Sequence, residues 1–213
     1  MSTGVESLYP FLYAETADRS LLREAVRRST AEKSAEIVAL RRHVHTLHGA
    51  ALVACAEAMA QRFARGGRLY TFGNGGSSSD AQAVAQLFSA PGSGRPLPAI
   101  SLTNDIAAMT ALANDVGFEV VFGRQVAAFG RPDDMVMALS TSGGSANVLR
   151  GLAEAHKLRL LTIGLAGYDG GAMAEADTID HLFVVPSSSV HRIQEAQTTV
   201  YDVLWELTQQ ALG

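Results

Sequence analysis

From Ser20 to Leu47 apolar residues recur at spacings of three and four: Leu21, Leu22, Ala25 and Val26, then Ala35, Ile37, Val38, Leu40, Val44 and Leu47. That period predicts a helix. Gly49 reads as a break, and a second helix is expected from about Ala50 to Ala64, stopped by Gly66-Gly67. The opening fifteen residues carry Tyr9, Pro10, Phe11 and Tyr13 without a period. They read as an arm that docks on the domain or on a second subunit.

Beyond Gly67 the pattern changes. Short apolar runs predict five strands, at Arg68–Phe72, Pro98–Leu102, Asp134–Leu139, Arg159–Leu165 and His181–Val185. Helical stretches separate them, at Ser78–Phe88, Ile106–Ala113, Phe118–Phe129, Ala146–His156 and Val190–Leu212. Strand and helix in alternation predict an α/β fold: a doubly wound, five-stranded parallel sheet covered on both faces, three layers in all, with N-terminal helices ahead of it. No repeat or flexible linker interrupts it, and Ala90–Pro96 is the loosest segment. The division falls between an N-terminal extension and helix at residues 1–48 and the α/β domain at 49–213.

Composition excludes several classes. An apolar fraction of 47% and a charged fraction of 18% belong to a globular chain with a sizeable core. Net charge is −4, and clustered Lys and Arg are lacking, so no nucleic-acid surface is expected. Arg23, Arg27, Arg28 and Lys33 alternate with Glu24, Glu32 and Glu36, the pattern of a solvated helix face. No apolar run approaches the roughly 18 residues of a membrane helix, and no basic region precedes an apolar core at the N-terminus. The single cysteine, Cys55, sits in an apolar stretch and reads as a small buried hydrophobe. Together these predict a cytoplasmic protein with no membrane partner.

Two segments carry the chemistry. Gly73-Asn74-Gly75-Gly76-Ser77-Ser78-Ser79-Asp80 follows a strand and opens a helix. Glycine lets backbone approach a ligand closely, and free N–H groups at a helix start attract anions. No Lys follows the last glycine, and Ser78 stands where a third dinucleotide-loop glycine belongs, so neither a Walker loop nor a dinucleotide fingerprint is present. Ser140-Thr141-Ser142-Gly143-Gly144-Ser145-Ala146-Asn147 repeats the design after another strand. In an open α/β sheet such turns gather at the carboxyl ends of the strands. Two of them there suit one phosphate monoester.

At these turns the sequence resembles the SIS (sugar isomerase) family. STSGGSANV at Ser140–Val148 is similar to its phosphate loop. GNGGSSSDAQ at Gly73–Gln82, ALANDVGF at Ala111–Phe118, TIGLAGYDGG at Thr162–Gly171 and RIQEAQ at Arg192–Gln197 resemble the phosphoheptose isomerase branch, which interconverts sedoheptulose 7-phosphate and a heptose 7-phosphate. The likeness covers roughly Gly49 to Gly213. It implies the flavodoxin-like SIS fold, a sugar-phosphate ligand and a homotetramer with active sites at subunit interfaces. It assigns phosphosugar binding to Asn74, Gly75, Ser77, Asn114, Asp115, Ser140, Thr141, Ser142 and Ser145.

The catalytic positions depart from the family. Where the isomerases carry a histidine and a glutamate four residues apart, this chain has Ala83 and Leu87. On the last helix Gln194 is kept, Asp202 replaces a histidine and His191 replaces an aspartate. Gly144 replaces an asparagine in the phosphate loop, and Pro91 displaces an arginine. Aldose–ketose isomerisation moves a proton between adjacent carbons and needs a base and an acid or electrophile. A catalytic zinc wants three protein ligands; with only Gln194 kept of the family's four, the expectation is no metal and no cofactor. His191, Asp202 and Gln194 are the candidates for replacement catalysis, with Glu195 beside them. His43, His45, His48, His156 and His181 show no ligand spacing, Met135 and Met137 read as core, and Tyr201 and Trp205 as packing. Three readings stay open: a phosphosugar isomerase, either with altered catalytic groups or acting on a different sugar; a non-catalytic phosphosugar-binding regulator; and a protein-interaction member, since some SIS relatives bind other proteins, including a replication initiator.

Overall fold

The structure is a computed structural model that describes residues 19–213. The aromatic arm with Tyr9, Phe11 and Tyr13 lies outside the described residues. By compactness the chain divides into residues 1–39 and 40–213.

The first element is one helix, α1 (Arg19–Ala64). The break expected at Gly49 is absent. Gly49 does not take a positive φ, and a mid-helix glycine costs only about 1 kcal/mol against alanine. Beyond it, Leu52, Cys55, Ala56, Met59, Ala60 and Phe63 are all buried at helical spacing, which outweighs that cost.

Then follow β1 (Leu69–Gly73), α2 (Gly76–Ser89), β2 (Ala99–Ser101), α3 (Ile106–Asp115), a 3₁₀ turn at Phe118–Val120, α4 (Val121–Phe129), β3 (Met135–Ser140), α5 (Ala146–Lys157), β4 (Leu161–Gly167), a one-turn α6 (Gly171–Ala174), β5 (His181–Val185) and α7 (Val190–Leu212). β5 and α7 lie where the periodicity puts them. Other expectations shift. The stretch Phe118–Phe129 splits into the 3₁₀ turn and α4, the pattern does not anticipate α6, β1 and β3 begin one residue late and β4 two, and β2 is one residue shorter at each end. Asp134 drops out of β3 because its buried carboxylate accepts the N–H groups of Arg68 and Arg131, tying the entry of β1 to the turn before β3. Arg159 drops out of β4 because it closes the α5 turn at φ 63°.

All four strand pairings are parallel, in the order β2-β1-β3-β4-β5. This is the flavodoxin-like order. Strands buried on both faces read as near-continuous apolar runs, and Met135, Val136, Met137, Ala138 and Leu139 are all 0% exposed. One core layer packs Tyr70, Phe72, Val136 and Ala138 against Phe122 and Val126 of α4 and Val148 and Leu152 of α5. Phe72 and Phe122 stack at 4.9 Å. On the opposite face lie α2 and α7, with Phe88 of α2 stacked on Phe63 of α1 at 6.0 Å. Among the described residues no helix is long and apolar enough to cross a membrane.

Candidate phosphosugar site

β1 and β3 are neighbours, and the chain leaves β1 toward β2 but returns to its other side at β3. That reversal is the topological switch point at which open α/β sheets bind ligands, outside the carboxyl ends of the strands. Both hydroxyl-bearing turns leave the sheet there, since Gly73 pairs with Leu139, the residue before Ser140.

The first turn is shaped by close backbone approach. A Cβ on Gly73 would stand 2.7 Å from the carbonyl oxygens of Leu139 and Ser77. Gly75 takes φ 55° and caps α2 with no side-chain bond. Ser78 and Ser79 both donate their N–H to the Gly75 carbonyl, at 3.0 and 3.3 Å. The N–H groups of Gly76 and Ser77 precede these bonds and form the open end of the helix.

The second turn is clamped by the β4–α6 connection. Gly143 takes φ 64°, and a Cβ there would run into the Gly170 carbonyl. Gly143 donates its N–H to Ser140 O at 3.0 Å, while Met173 N–H and Gly167 N–H bond the carbonyls of Gly143 and Thr141 at 2.9 and 3.0 Å. The Thr162–Gly171 motif thus braces the turn. Ser140 Oγ and Ser145 Oγ lie 3.2 Å apart, and Ser142 Oγ accepts the Gly144 N–H at 3.3 Å. Ser145 caps α5 without a side-chain bond. The first intrahelical bond runs from Leu149 N–H to Ser145 O, so the N–H groups of Ala146, Asn147 and Val148 precede it.

One contact joins the two turns. Asn74 Nδ2 donates to Asn147 Oδ1 at 2.8 Å, and Asn147 Nδ2 donates back to Asn74 Oδ1 at 2.9 Å. Asn147 is 3% exposed, so this paired amide bridge is shielded from water. Within its motif Asn147 carries no expectation of its own. Its signal was a carboxamide in the first turn of a helix, where the other first-turn residues, Ala146 and Val148, are apolar. Asn74 spends one N–H and its carbonyl on the bridge and keeps a second N–H.

From the opposite side α7 brings Gln194 to the first turn. Its carboxamide occupies the space a Cβ on Gly76 would need, and its Nε2 donates to Asp80 Oδ2 at 3.1 Å. Asp80, also unforeseen, is half-buried, and burial pushes its carboxyl above the usual carboxylate range while the Gln194 bond partly offsets this. Further along α7, burial raises the Asp202 carboxyl, Glu206 adds to the rise and Arg41 opposes it. Burial likewise raises the Tyr201 phenol, which donates to Thr198 Oγ1 at 3.3 Å.

A model of the SIS domain matches residues 34–167. The chain belongs to the SIS domain family. This SIS protein is 42% identical to the phosphoheptose isomerase of Roseiflexus sp. (strain RS-1), over 85% of this chain and 91% of that protein. It is also 42% identical to the phosphoheptose isomerase of Aquifex aeolicus (strain VF5), over 77% of this chain and 86% of that protein. The solved structure of a phosphoheptose isomerase from Neisseria gonorrhoeae superposes with a TM-score of 0.80 at 34% identity, covering 87% of this chain and 99% of that one.

The positions at which the resemblance places a metal do not fit one in this SIS protein. Ala83 and Leu87 carry no donor atom, and among the described residues no three His, Cys, Asp or Glu side chains gather closely enough to hold an ion. His191 is exposed in the first turn of α7, and Asp202 lies eleven residues along the same helix. That is about 16 Å of axial rise, so one chain does not bring the two to the same carbon. Asn114 and Asp115 close α3, are exposed and bond each other at 2.8 Å; no described hydrogen bond joins them to either turn. A groove of about 670 Å³ lies instead at the β2 edge, lined by Tyr70, Ile100, Leu102, Leu112 and Phe129. It contains no residue of either hydroxyl turn.

Proposed function

We propose that this SIS protein binds a sugar phosphate, the phosphate seated between Ser140, Thr141, Ser142 and Ser145 on one side and Asn74, Gly75 and Ser77 on the other. The observation that carries this reading is the paired Asn74–Asn147 bridge. It ties together two turns that each open a helix without a side-chain cap, and such helix ends attract anions. A phosphate there is balanced by dipoles and hydroxyls, and no lysine or arginine is needed. The relatives' names make a heptose phosphate such as sedoheptulose 7-phosphate the first ligand to try. To this we add, from the family resemblance, Asn114 and Asp115 as further sugar-binding residues and a cytoplasmic homotetramer with active sites at subunit interfaces.

Turnover is a separate matter. Isomerisation through an enediol requires a proton acceptor at the carbon, and the two family positions that would supply it are an exposed alanine and a part-buried leucine. That substitution favours a second reading, a non-catalytic phosphosugar-binding regulator or interaction protein. Under the enzymatic reading Asp202 and His191 are the groups left on α7 to move the proton, with the neutral Gln194 carboxamide left to hydrogen-bond the sugar oxygens.

The decisive experiment is a thermal melt with sedoheptulose 7-phosphate. At a hundredfold excess over Kd a ligand stabilises the folded state by about 2.7 kcal/mol, a rise of several degrees for a domain of this size. The rise is expected in the wild type and lost in the Ser142→Ala/Ser145→Ala double variant. No rise with any hexose or heptose phosphate would remove the reading. Exchange of the proton beside the ketose carbonyl into deuterated water then separates the two versions. Exchange that vanishes in Asp202→Asn or His191→Ala marks replacement catalysis, and none at all marks a binding protein.

A further inference from the structure

Asp80 has no place in the site as read from the sequence, and its surroundings give it one. It stands in the second turn of α2, after the open helix end formed by Gly76 and Ser77. Its Oδ2 takes the N–H of Gln194 at 3.1 Å. An ionised carboxylate accepts only, so the amide nitrogen of Gln194 must face Asp80 and the carbonyl oxygen must face elsewhere. Gly76 completes the arrangement, because a side chain there would displace the Gln194 carboxamide. Asp80 and Gly76 of α2 therefore hold the Gln194 amide of α7 in one orientation, beside the turn assigned to the phosphate.

We propose that Asp80 is a positioning residue: it locks the Gln194 carboxamide so that Oε1 is presented as an acceptor to a hydroxyl of the sugar. The inference rests on the phosphosugar reading above and adds to it the group that tells a sugar phosphate from bare phosphate. A neutral acceptor suits that task. A polyol offers hydroxyl donors in rows, whereas inorganic phosphate at neutral pH is chiefly an acceptor and gains little from a carbonyl oxygen. An amide free to turn over would present a donor about as often as an acceptor and lose the discrimination. The cost of losing one oriented hydrogen bond is about three- to tenfold in affinity.

The test measures Kd by calorimetry for sedoheptulose 7-phosphate and for inorganic phosphate, and follows their ratio. Asp80→Ala is expected to weaken the sugar phosphate about three- to tenfold and leave inorganic phosphate unchanged, which also shows that the variant is folded. Asp80→Asn, whose carboxamide can meet either end of the Gln194 amide, removes the lock and is expected to lose part of the wild-type ratio. Gln194→Ala loses the preference, and adding Asp80→Ala to it costs nothing more, since Asp80 acts through Gln194. An unchanged ratio in Asp80→Ala overturns the proposal. So does an Asp80→Ala effect that persists in full when Gln194 is already alanine, or an Asp80→Asn variant that keeps the full wild-type ratio. A wild type that binds neither ligand fails differently: it removes the phosphosugar reading itself.

Discussion

Asn147 is buried with its carboxamide matched only by Asn74. Removing one partner leaves the other desolvated and unpaired, at a cost of about 1–3 kcal/mol. Asn74→Ala is therefore expected to lower the melting temperature by several degrees and to abolish the ligand-induced rise. Gly143→Ala is expected to do both more severely, because φ 64° and the Gly170 carbonyl each exclude a Cβ. Asp202 makes a prediction of opposite sign. Its folded-state pKa is raised by burial and by Glu206, so its contribution is fully present below the unfolded value and is lost as pH rises through the folded one. Asp202→Asn should raise the melting temperature at pH 7 and lose that advantage toward pH 4, read by melts across the range. None of these contributions was visible in the sequence, which names a carboxamide but not its neighbour seventy-three positions away.

Helix α1 shows why a local breaker was misleading. Gly49 reads as an end because glycine weakens a helix; the helix continues because the buried face from Leu52 to Phe63 secures it. A Cβ at Gly49 meets only the His45 ring, at 3.6 Å, an ordinary contact. Gly49→Ala should thus stabilise the fold by up to about 1 kcal/mol, seen as a higher midpoint in urea with an unchanged slope. Elsewhere the elements were legible. β5 and α7 start and stop where the pattern puts them; Ser189 caps the start of α7 by accepting the Arg192 N–H, and Gly213 closes it with its N–H on Gln210 O. The missed α6 is a single turn whose Met173 is buried, and one turn shows no period to read.

For the assembled domain the controlling fact is strand order. Placing β1 beside β3 brings two similar segments sixty-seven residues apart to the same end of adjacent strands. The first part of α1 carries large apolar side chains in the open, with Leu21 69% and Val26 58% exposed. Such residues on a helix with an expected tetramer around it make a clear prediction: light scattering should give about four chains of 22.5 kDa, and Leu22→Glu/Val26→Glu should give smaller species. A wild-type monomer would count against the oligomeric reading.

The amino-acid order alone determined the α/β alternation and the two glycine-and-hydroxyl turns, because each is a property of neighbours along the chain; set beside the family it resembles, the same order also shows no donor at Ala83 and Leu87. Tertiary structure alone decided that the turns share a switch point, that Asn147 ties them together and that Asp80 meets Gln194. Those facts depend on which strands pair and which helices pack, and burial across the whole chain selects that arrangement.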